Sequence, residues 1–351
     1  MKDMMKPYEQ VTLGLIIDDF KIIYALIKEN NRRKGFGNYV LALLPYIGFT
    51  VNEGVGWIQK VKALRDVIDL KIDDKENFYV NLRQFIKFYD QSVDELDLIL
   101  QTSYKESNDF FFNELKPIAK VFKMHYRYGV TFIRFGNFEF PITNTINIMA
   151  LLPGYRISNA KEYGPYIKNK ATIAGKLVSV FTGINSLEEQ SDYSFRQDFL
   201  IEDKDYGFLK RNDLSIRYNS YFILFNIICT VNLMVYGIGG FIIEEAPIKL
   251  RGNYLIYYYL CDLNSGLNEF FNAKFNINKL YYNPKVRNAM AHYGLWQALG
   301  EEINLQDRFG GLTNKYFNKN WIDLYKEITN ILLSYKKQIL EYFEKNKIKV
   351  I

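Results

Sequence analysis

The segment Tyr218–Ile243, YNSYFILFNIICTVNLMVYGIGGFII, decides which class of fold this chain can adopt. It carries no charged residue over 26 positions, which is long enough to cross a bilayer. Against a membrane span, Asn219, Asn226 and Thr230 share one helix face, and the glycines of GIGG at 237–240 would end the helix early. A polar seam on an apolar helix is typical of the centre of a soluble bundle or of a dimer interface. The segment therefore favours a buried core helix, with a membrane span as the alternative.

The composition of this 351-residue chain indicates a folded protein, since 48% of its residues are hydrophobic and 24% are charged. Its net charge of +6 tolerates a polyanionic partner without requiring one. Cys229 and Cys261 lie in apolar stretches without CxxC spacing, which predicts buried, reduced thiols of a cytoplasmic protein. The first ten residues lack the apolar core of a signal peptide, so secretion is not predicted.

The hydrophobic pattern predicts a mainly α-helical protein. Apolar side chains at three- and four-residue spacing predict N-terminal helices over 8–29, 55–70, 75–89 and 93–102. Ser92 and Glu95 form a predicted capping box at the start of the last of these. YGVTFIRFGNFEFPI at 128–142 alternates around Gly136-Asn137, which predicts a small β-hairpin ending at Pro141.

The chain divides into two predicted regions, a mostly helical region over 1–205, whose role is not predicted, and a helical domain over 206–351. The boundary follows EEQSDYSFRQDFLIEDKDYG at 188–207, which is predicted to be a linker or an exposed insertion. Short connections in the second region favour an antiparallel helical bundle. Its predicted helices cover 214–236, 252–275, a segment from Pro284, and 321–345.

Common cofactor motifs are missing from the sequence. GxxxxGK, GxGxxG, HExxH and GxSxG are all absent, and two histidines and two cysteines are too few for an ordinary zinc site. No cofactor and no metal ion is therefore predicted.

The stretch PKVRNAMAHYGLW at 284–296 is the strongest candidate for chemistry. Asn283 is a suitable N-cap and Pro284 suits the first helical position, so the helix start, together with Lys285, predicts an anion site. Asn288 and His292 are four residues apart and share a face. Arg287 lies about 140° from the histidine around an ideal helix. It must reach across the helix end, or act from a dimer partner, to meet the same phosphate.

These residue types suit RNA cleavage without a metal ion. The imidazole of His292 can take the proton of a ribose 2′-OH, and the guanidinium of Arg287 can stabilise the phosphate charge. One histidine does not readily serve as both base and acid, so a second copy from a symmetric homodimer is attractive. The alternative is an ordinary helix whose arginine and histidine only stabilise the fold. From the residues alone, both interpretations remain open.

Several other residues are weaker candidates for the same site. Asp262 and Glu269 are seven residues apart on a predicted helix and could orient His292 or Arg287; the alternative is a solvated helix face. His125 is predicted to be structural because no arginine precedes it at the motif spacing.

RNA-binding candidates lie both inside and outside the motif. Tyr293 and Trp296 could stack on a base, with packing against neighbouring helices as the alternative. Arg32 and Arg33, in the basic turn NNRRKGFGN at 30–38, could contact the RNA backbone, with ordinary surface charge as the alternative.

RNAMAHY at 287–293 resembles the R-x4-6-H signature of HEPN-domain proteins in its RNxxxH form. The longer RNxxAHxxxLW pattern of abortive-infection HEPN proteins is also similar, with one residue fewer before the LW here. The resemblance covers at most 206–351. It implies an all-α bundle in which two protomers bring their motifs together at a cleft. It also implies a metal-independent endoribonuclease that leaves a 2′,3′-cyclic phosphate, with Arg287 and His292 as catalytic pair and Asn288 as polar companion.

The same resemblance implies a prokaryotic anti-phage or toxin system that acts in the cytoplasm. The candidate partners are RNA, a second copy of the chain, and an antitoxin, CRISPR or other defence protein. Because position 294 is glycine, the tyrosine that some family toxins carry two residues after the histidine is missing. Two alternatives stay open. A catalytically silent HEPN bundle would bind RNA or protein, or only dimerise. A membrane-acting toxin would use 218–243 as its span.

Overall fold

The computed structural model describes residues 5–30, 32–33, 36–65, 88–114, 128–144, 163–183, 193–206 and 220–348. This part of the chain is mainly helical with a small antiparallel sheet, which confirms the predicted fold class. The N-terminal helices are α1 (Pro7–Asn30), α2 (Phe36–Lys60), α3 (Lys62–Arg65), α4 (Val93–Glu114) and α5 (Tyr163–Thr182). The strands are β1 (Tyr128–Phe135), β2 (Phe138–Asn144) and β3 (Phe199–Tyr206). The C-terminal helices are α6 (Tyr221–Asn232), α7 (Pro247–Phe271), α8 (Pro284–His292), α9 (Leu295–Leu299), α10 (Leu312–Phe317) and α11 (Trp321–Lys345).

Helix α2 differs most from its prediction over 55–70, of which 66–70 lie outside the described residues. It begins at Phe36 and continues through Pro45. Burial explains this, because much of α2 is enclosed by α1 and α5 and packing outweighs the local glycine and proline signals. Gly54 allows the close approach of α1, since a Cβ there would lie 2.7 Å from the ring of Phe20.

The other N-terminal predictions have mixed outcomes. The helix over 8–29 is confirmed as α1, and the helix from Val93 is confirmed but extends to Glu114. The capping box is also confirmed, because the Ser92 N–H donates to Glu95 Oε2 at 2.9 Å. His125 and nearly all of the predicted helix 75–89 lie outside the described residues, apart from a short 3₁₀ turn at Phe88–Asp90.

The β-hairpin is confirmed, and it belongs to a three-stranded antiparallel sheet with the order β2-β1-β3. Gly136 has a φ of 56°, the conformation that the tight turn requires. Pro141 does not end β2, because a register irregularity opposite Thr131 and Phe132 accommodates it. The predicted linker over 188–207 is wrong for residues 199–206. Phe199–Tyr206 forms β3 beside β1, with Phe199 buried.

The apolar segment is a core helix in the described structure. Helix α6 continues as a π-helix over Leu233–Ile238, and most of 221–238 is buried. Asn219, like 214–218 of the predicted helix, lies outside the described residues, but the later polar residues of this helix bond within the protein. Asn144 Nδ2 donates to Asn226 Oδ1 at 2.7 Å, Thr230 Oγ1 pairs with the Tyr89 hydroxyl at 2.8 Å, and Asn232 Nδ2 donates to the Pro141 carbonyl at 3.0 Å. These bonds would be lost on insertion into a bilayer, so they argue against the span over 218–243.

Helices α7 and α11 pack against α6, and the C-terminal helices run in mixed directions. Helix α7 runs antiparallel to α8, since Arg251 contacts the Met290 carbonyl and Tyr254 contacts the Asn283 carbonyl. The fully antiparallel bundle is wrong, because α11 runs parallel to α7. Asn253 bonds Thr329 near the helix starts, and the Tyr342 hydroxyl bonds the Phe271 carbonyl near their ends. The segment α8–α10 leads the chain back toward the start of α7, so that α11 begins there and runs in the same direction as α7.

Buried hydrophobic residues form one cluster that extends from Met5 to Ile348 and includes both cysteines. It takes members from either side of the predicted boundary near residue 205. The division into 1–205 and 206–351 stays a prediction.

Candidate functional site

The motif lies on α8, whose start agrees with the sequence prediction. The Asn283 side chain accepts hydrogen bonds from the backbone N–H groups of Lys285 at 2.9 Å and Val286 at 3.2 Å. Since Asn283 takes these two donors, an anion at the helix start would depend on the side chain of Lys285. The side chain of Lys285 remains exposed and lines a cleft beside the helix.

A buried network closes the other end of α8. Arg251 Nε donates to the Met290 carbonyl at 2.7 Å, and Nη1 donates to Asp19 Oδ2 at 2.6 Å and to the Tyr293 hydroxyl at 2.5 Å. The Tyr293 hydroxyl itself donates to Asp19 Oδ2 at 2.6 Å. Arg251 thereby caps a helix C-terminus, where carbonyl groups lack intrahelical partners.

Tyr293 belongs to this network, so its predicted contact with RNA is wrong. The residue is 3% exposed and has a φ of 53°, which ends the helix. Burial raises the pKa of its phenol well above the ordinary value, so the hydroxyl keeps its proton at neutral pH.

His292 is the last residue of α8 and pairs with a carboxylate that the sequence predictions missed. Its Nδ1 lies 3.2 Å from Glu53 Oε2 of α2. The His292 side chain is 41% exposed, whereas the Glu53 side chain is 7% exposed. A signal was available, because Glu53 is the one acidic residue of the apolar helix α2. A buried acid on such a helix needs a partner.

Asn288 connects Arg287 with the histidine side of the helix. Arg287 Nη1 donates to Asn288 Oδ1 at 2.7 Å, and Asn288 and His292 both line the cleft. The Arg287 guanidinium lies 5.2 Å from the ring centroid of Tyr258 and 5.6 Å from that of Tyr259. Its Nε is buried without a hydrogen-bond acceptor among the described residues. Arg287 is not among the residues that line the cleft, and its Nε donor is unused within the described part of the chain.

The cleft has a volume of about 1030 Å³ and separates α1 and α2 from α8 and α9. Its walls combine aromatic rings, two lysines and polar groups around His292. The lining side chains include Tyr8, Glu9, Glu53, Trp57, Lys60, Tyr259, Lys285, Asn288, His292 and Trp296.

The predicted carboxylates of α7 do not orient His292. Asp262 Oδ1 accepts from the Tyr282 hydroxyl at 2.6 Å, and Tyr282 stacks on Tyr258, so Asp262 reaches Arg287 only through tyrosine rings. Glu269 is 18 residues beyond Arg251, or about 27 Å along α7. The proposed roles of both are corrected, since α7 runs away from the histidine end of α8.

The predicted basic turn is also far from the cleft. Thr12 lines the cleft, whereas Arg32 and Arg33 follow the other end of α1, about 27 Å away along the helix axis. Arg33 pairs with Glu29 and packs over Phe241, so its RNA contact is wrong. Arg32 is exposed but does not belong to this site.

Within the described ranges, no group of three or more histidine, cysteine, aspartate or glutamate side chains could hold a metal ion. Comparison with protein-family models, with curated proteins and with solved structures gives no match for this chain.

Proposed function

We propose that this protein is a metal-independent endoribonuclease of a prokaryotic toxin or anti-phage system, acting in the cytoplasm as a homodimer. The observation that carries the proposal is the placement of His292 in an open cleft with its Nδ1 beside Glu53. An ionised carboxylate can only accept, so opposite ionised Glu53 the proton of the imidazole lies on Nδ1. Among the described residues nothing bonds Nε2, which leaves that nitrogen available to a substrate.

The reaction that suits this arrangement uses the substrate's own nucleophile. Nε2 of His292 takes the proton of a ribose 2′-OH, and the 2′-oxygen attacks the adjacent phosphorus. The bond from phosphorus to the 5′-oxygen breaks, the leaving oxygen takes a proton, and a 2′,3′-cyclic phosphate remains. Arg287 stabilises the charge on the phosphate, and Asn288 positions the guanidinium or the substrate.

A second copy of the chain completes this mechanism. Arg287 lies over the tyrosines of its own α7, so an arginine from a partner is a better candidate for the phosphate at His292. The partner's imidazole could supply the proton for the leaving oxygen.

The direct test is RNA cleavage in the presence of a chelator by wild type, Arg287→Ala and His292→Ala. We expect wild type to give cyclic-phosphate ends, and each variant to lose at least about 100-fold in rate, a typical loss for an acid–base or charge-stabilising group. Arg134→Ala, which alters an exposed pair on the sheet, is the control and should cut normally. Equal cleavage by all four proteins would refute the mechanism.

A catalytically silent HEPN-like module is the second candidate. The observation that favours it is the bond from Arg287 to Asn288, which uses part of the guanidinium within one protomer. Such a protein would bind RNA or a protein partner, such as an antitoxin or another defence component, without producing cyclic-phosphate ends.

A further inference from the structure

An exposed tryptophan beside His292 forms part of an aromatic wall. The rings of Tyr8 and Trp296 lie 4.6 Å apart between centroids, with planes tilted by 34°. Trp296 is nevertheless 42% exposed, so much of the indole is available to a ligand. Aromatic side chains held in place but open to solvent are typical platforms for nucleobases.

Helix α2 supplies a second group of lining side chains. Glu53 and Trp57 are four residues apart and line the cleft one turn from each other. Gly56 lies beside Trp57, and a Cβ built on it would meet nothing within 4 Å. The glycine therefore leaves open space next to the second indole, where a flat group could lie.

In the described part of the chain, two carboxylates and two lysines line this cleft, and the lysines are its exposed cations. Glu53 faces His292, and Glu9 accepts a hydrogen bond from the Lys6 backbone N–H at 2.8 Å. Lys60 and Lys285 are exposed, and neither has an ion-pair partner among the described residues. A ligand with a flat ring and a negative charge matches these walls, and a nucleotide unit has both.

We infer that the cleft contains a base-binding subsite for single-stranded RNA. Trp57 and the Tyr8–Trp296 pair stack on bases near the scissile phosphate, while Lys60 and Lys285 contact flanking phosphates. The identity of the polymer rests on the proposed function. Because every base has a π-face, such a subsite distinguishes bases from an empty backbone more strongly than one base from another.

The test measures binding of a single-stranded RNA decamer and of an abasic decamer with equal charge. Both are measured in the His292→Ala background to prevent cleavage. Trp296→Leu should weaken RNA binding by at least about 10-fold, within the range found for a lost base stack, and should leave abasic binding unchanged. Trp296→Phe, which keeps an aromatic ring, should retain most of the affinity.

Filling the cleft gives an independent measurement with a matched control. Gly56→Leu should weaken RNA binding by at least about 10-fold, because the new side chain occupies the space beside Trp57. Gly14→Leu changes a glycine of α1 that is exposed, does not line the cleft and also has nothing within 4 Å of a built Cβ. That control should bind RNA normally.

The subsite would be overturned if the His292→Ala protein bound the RNA and the abasic decamer equally well. It would also be overturned if Gly56→Leu and Gly14→Leu changed RNA affinity to the same extent. Cleavage by wild type could still occur in that case. Base-dependent binding without any cleavage by wild type would instead support the subsite and refute the proposed reaction. The two proposals therefore fail separately.

Discussion

At the scale of single residues, His292 differs from an ordinary surface histidine through its bond to Glu53. The carboxylate comes from α2 and is buried, whereas the imidazole remains open to the cleft. A buried acceptor at Nδ1 fixes both the orientation and the tautomer of a ring, and so directs Nε2. Glu53 is thus a positioning residue that acts through the histidine.

Glu53→Gln tests this role. We expect the rate of RNA cleavage to fall by at least about 100-fold, because the glutamine amide can donate to Nδ1 and favour the tautomer with a proton on Nε2. Thermal unfolding should show that the variant remains folded.

The ring nitrogens can be followed directly by ¹⁵N NMR, since the chain has two histidines and His292→Ala identifies the signal. The proton of neutral His292 should move from Nδ1 to Nε2 in Glu53→Gln. An unchanged tautomer with unchanged cleavage would show that Glu53 only stabilises the fold.

At the scale of elements, α8 depends on its two ends. A helix of nine residues is too short to be stable alone. Asn283 caps its start, the Tyr254 hydroxyl donates to the Tyr281 carbonyl at 2.8 Å just before it, and Arg251 binds its last carbonyls. The Arg251–Asp19–Tyr293 network therefore sets where the histidine lies.

Arg251→Met should be strongly destabilising. It leaves Asp19 buried without its cation, and removal of one partner of a buried pair commonly costs about 3–5 kcal/mol. Urea unfolding at pH 7 measures the decrease in the free energy of unfolding.

The same variant has an expected pH dependence. Burial already raises the pKa of Asp19, although Arg251 and Tyr293 oppose that rise, and loss of Arg251 should raise it further. A carboxyl with a raised folded-state pKa favours the folded state at low pH and loses that contribution as the pH rises. The difference in the free energy of unfolding between wild type and Arg251→Met should therefore become smaller when the pH is lowered from 7 to 5.

Lys337→Met is the control for this experiment. Lys337 and Glu341 form an exposed pair on α11 at 3.6 Å, and such pairs contribute at most about 1 kcal/mol. If Arg251→Met were no more destabilising than Lys337→Met, the network would not hold α8 in place.

At the scale of the whole molecule, the candidate site is shared between distant parts of the chain. Helices α1 and α2 provide one wall of the cleft and α8 and α9 provide the other. The 206–351 region alone lacks Glu53, Trp57 and Tyr8. The N-terminal part is therefore a structural component of the site.

Mixing Arg287→Ala and His292→Ala proteins tests the proposed dimer. If each site takes Arg287 from one protomer and His292 from the other, and water protonates the leaving oxygen, a mixed dimer keeps one intact site of two. Random reassociation, in which half of the dimers are mixed, should then restore about a quarter of wild-type cleavage.

Each single variant alone serves as the baseline for that mixture. No gain above this baseline, in a mixture shown to exchange subunits, would mean either that Arg287 and His292 act within one chain or that each site needs both imidazoles.

Local chemistry made several features predictable from sequence. The start of α8 at Asn283-Pro284, the hairpin turn at Gly136-Asn137 and the bounds of α11 depend on capping, on positive φ and on regular apolar spacing. Each of these signals lies within a few residues of its structural consequence, so a single sequence reveals it.

Long-range packing decided the rest. Glu53 and His292 are 239 positions apart, and only the packing of α2 against α8 brings them together. The burial of Tyr293 has the same origin, because Arg251 and Asp19 come from two other helices. By itself the sequence determined that a capped helix presents Asn288 and His292 on one face. The tertiary structure alone decided which carboxylate that histidine meets and which aromatic rings surround it, because side-chain partners across a core depend on how the helices pack.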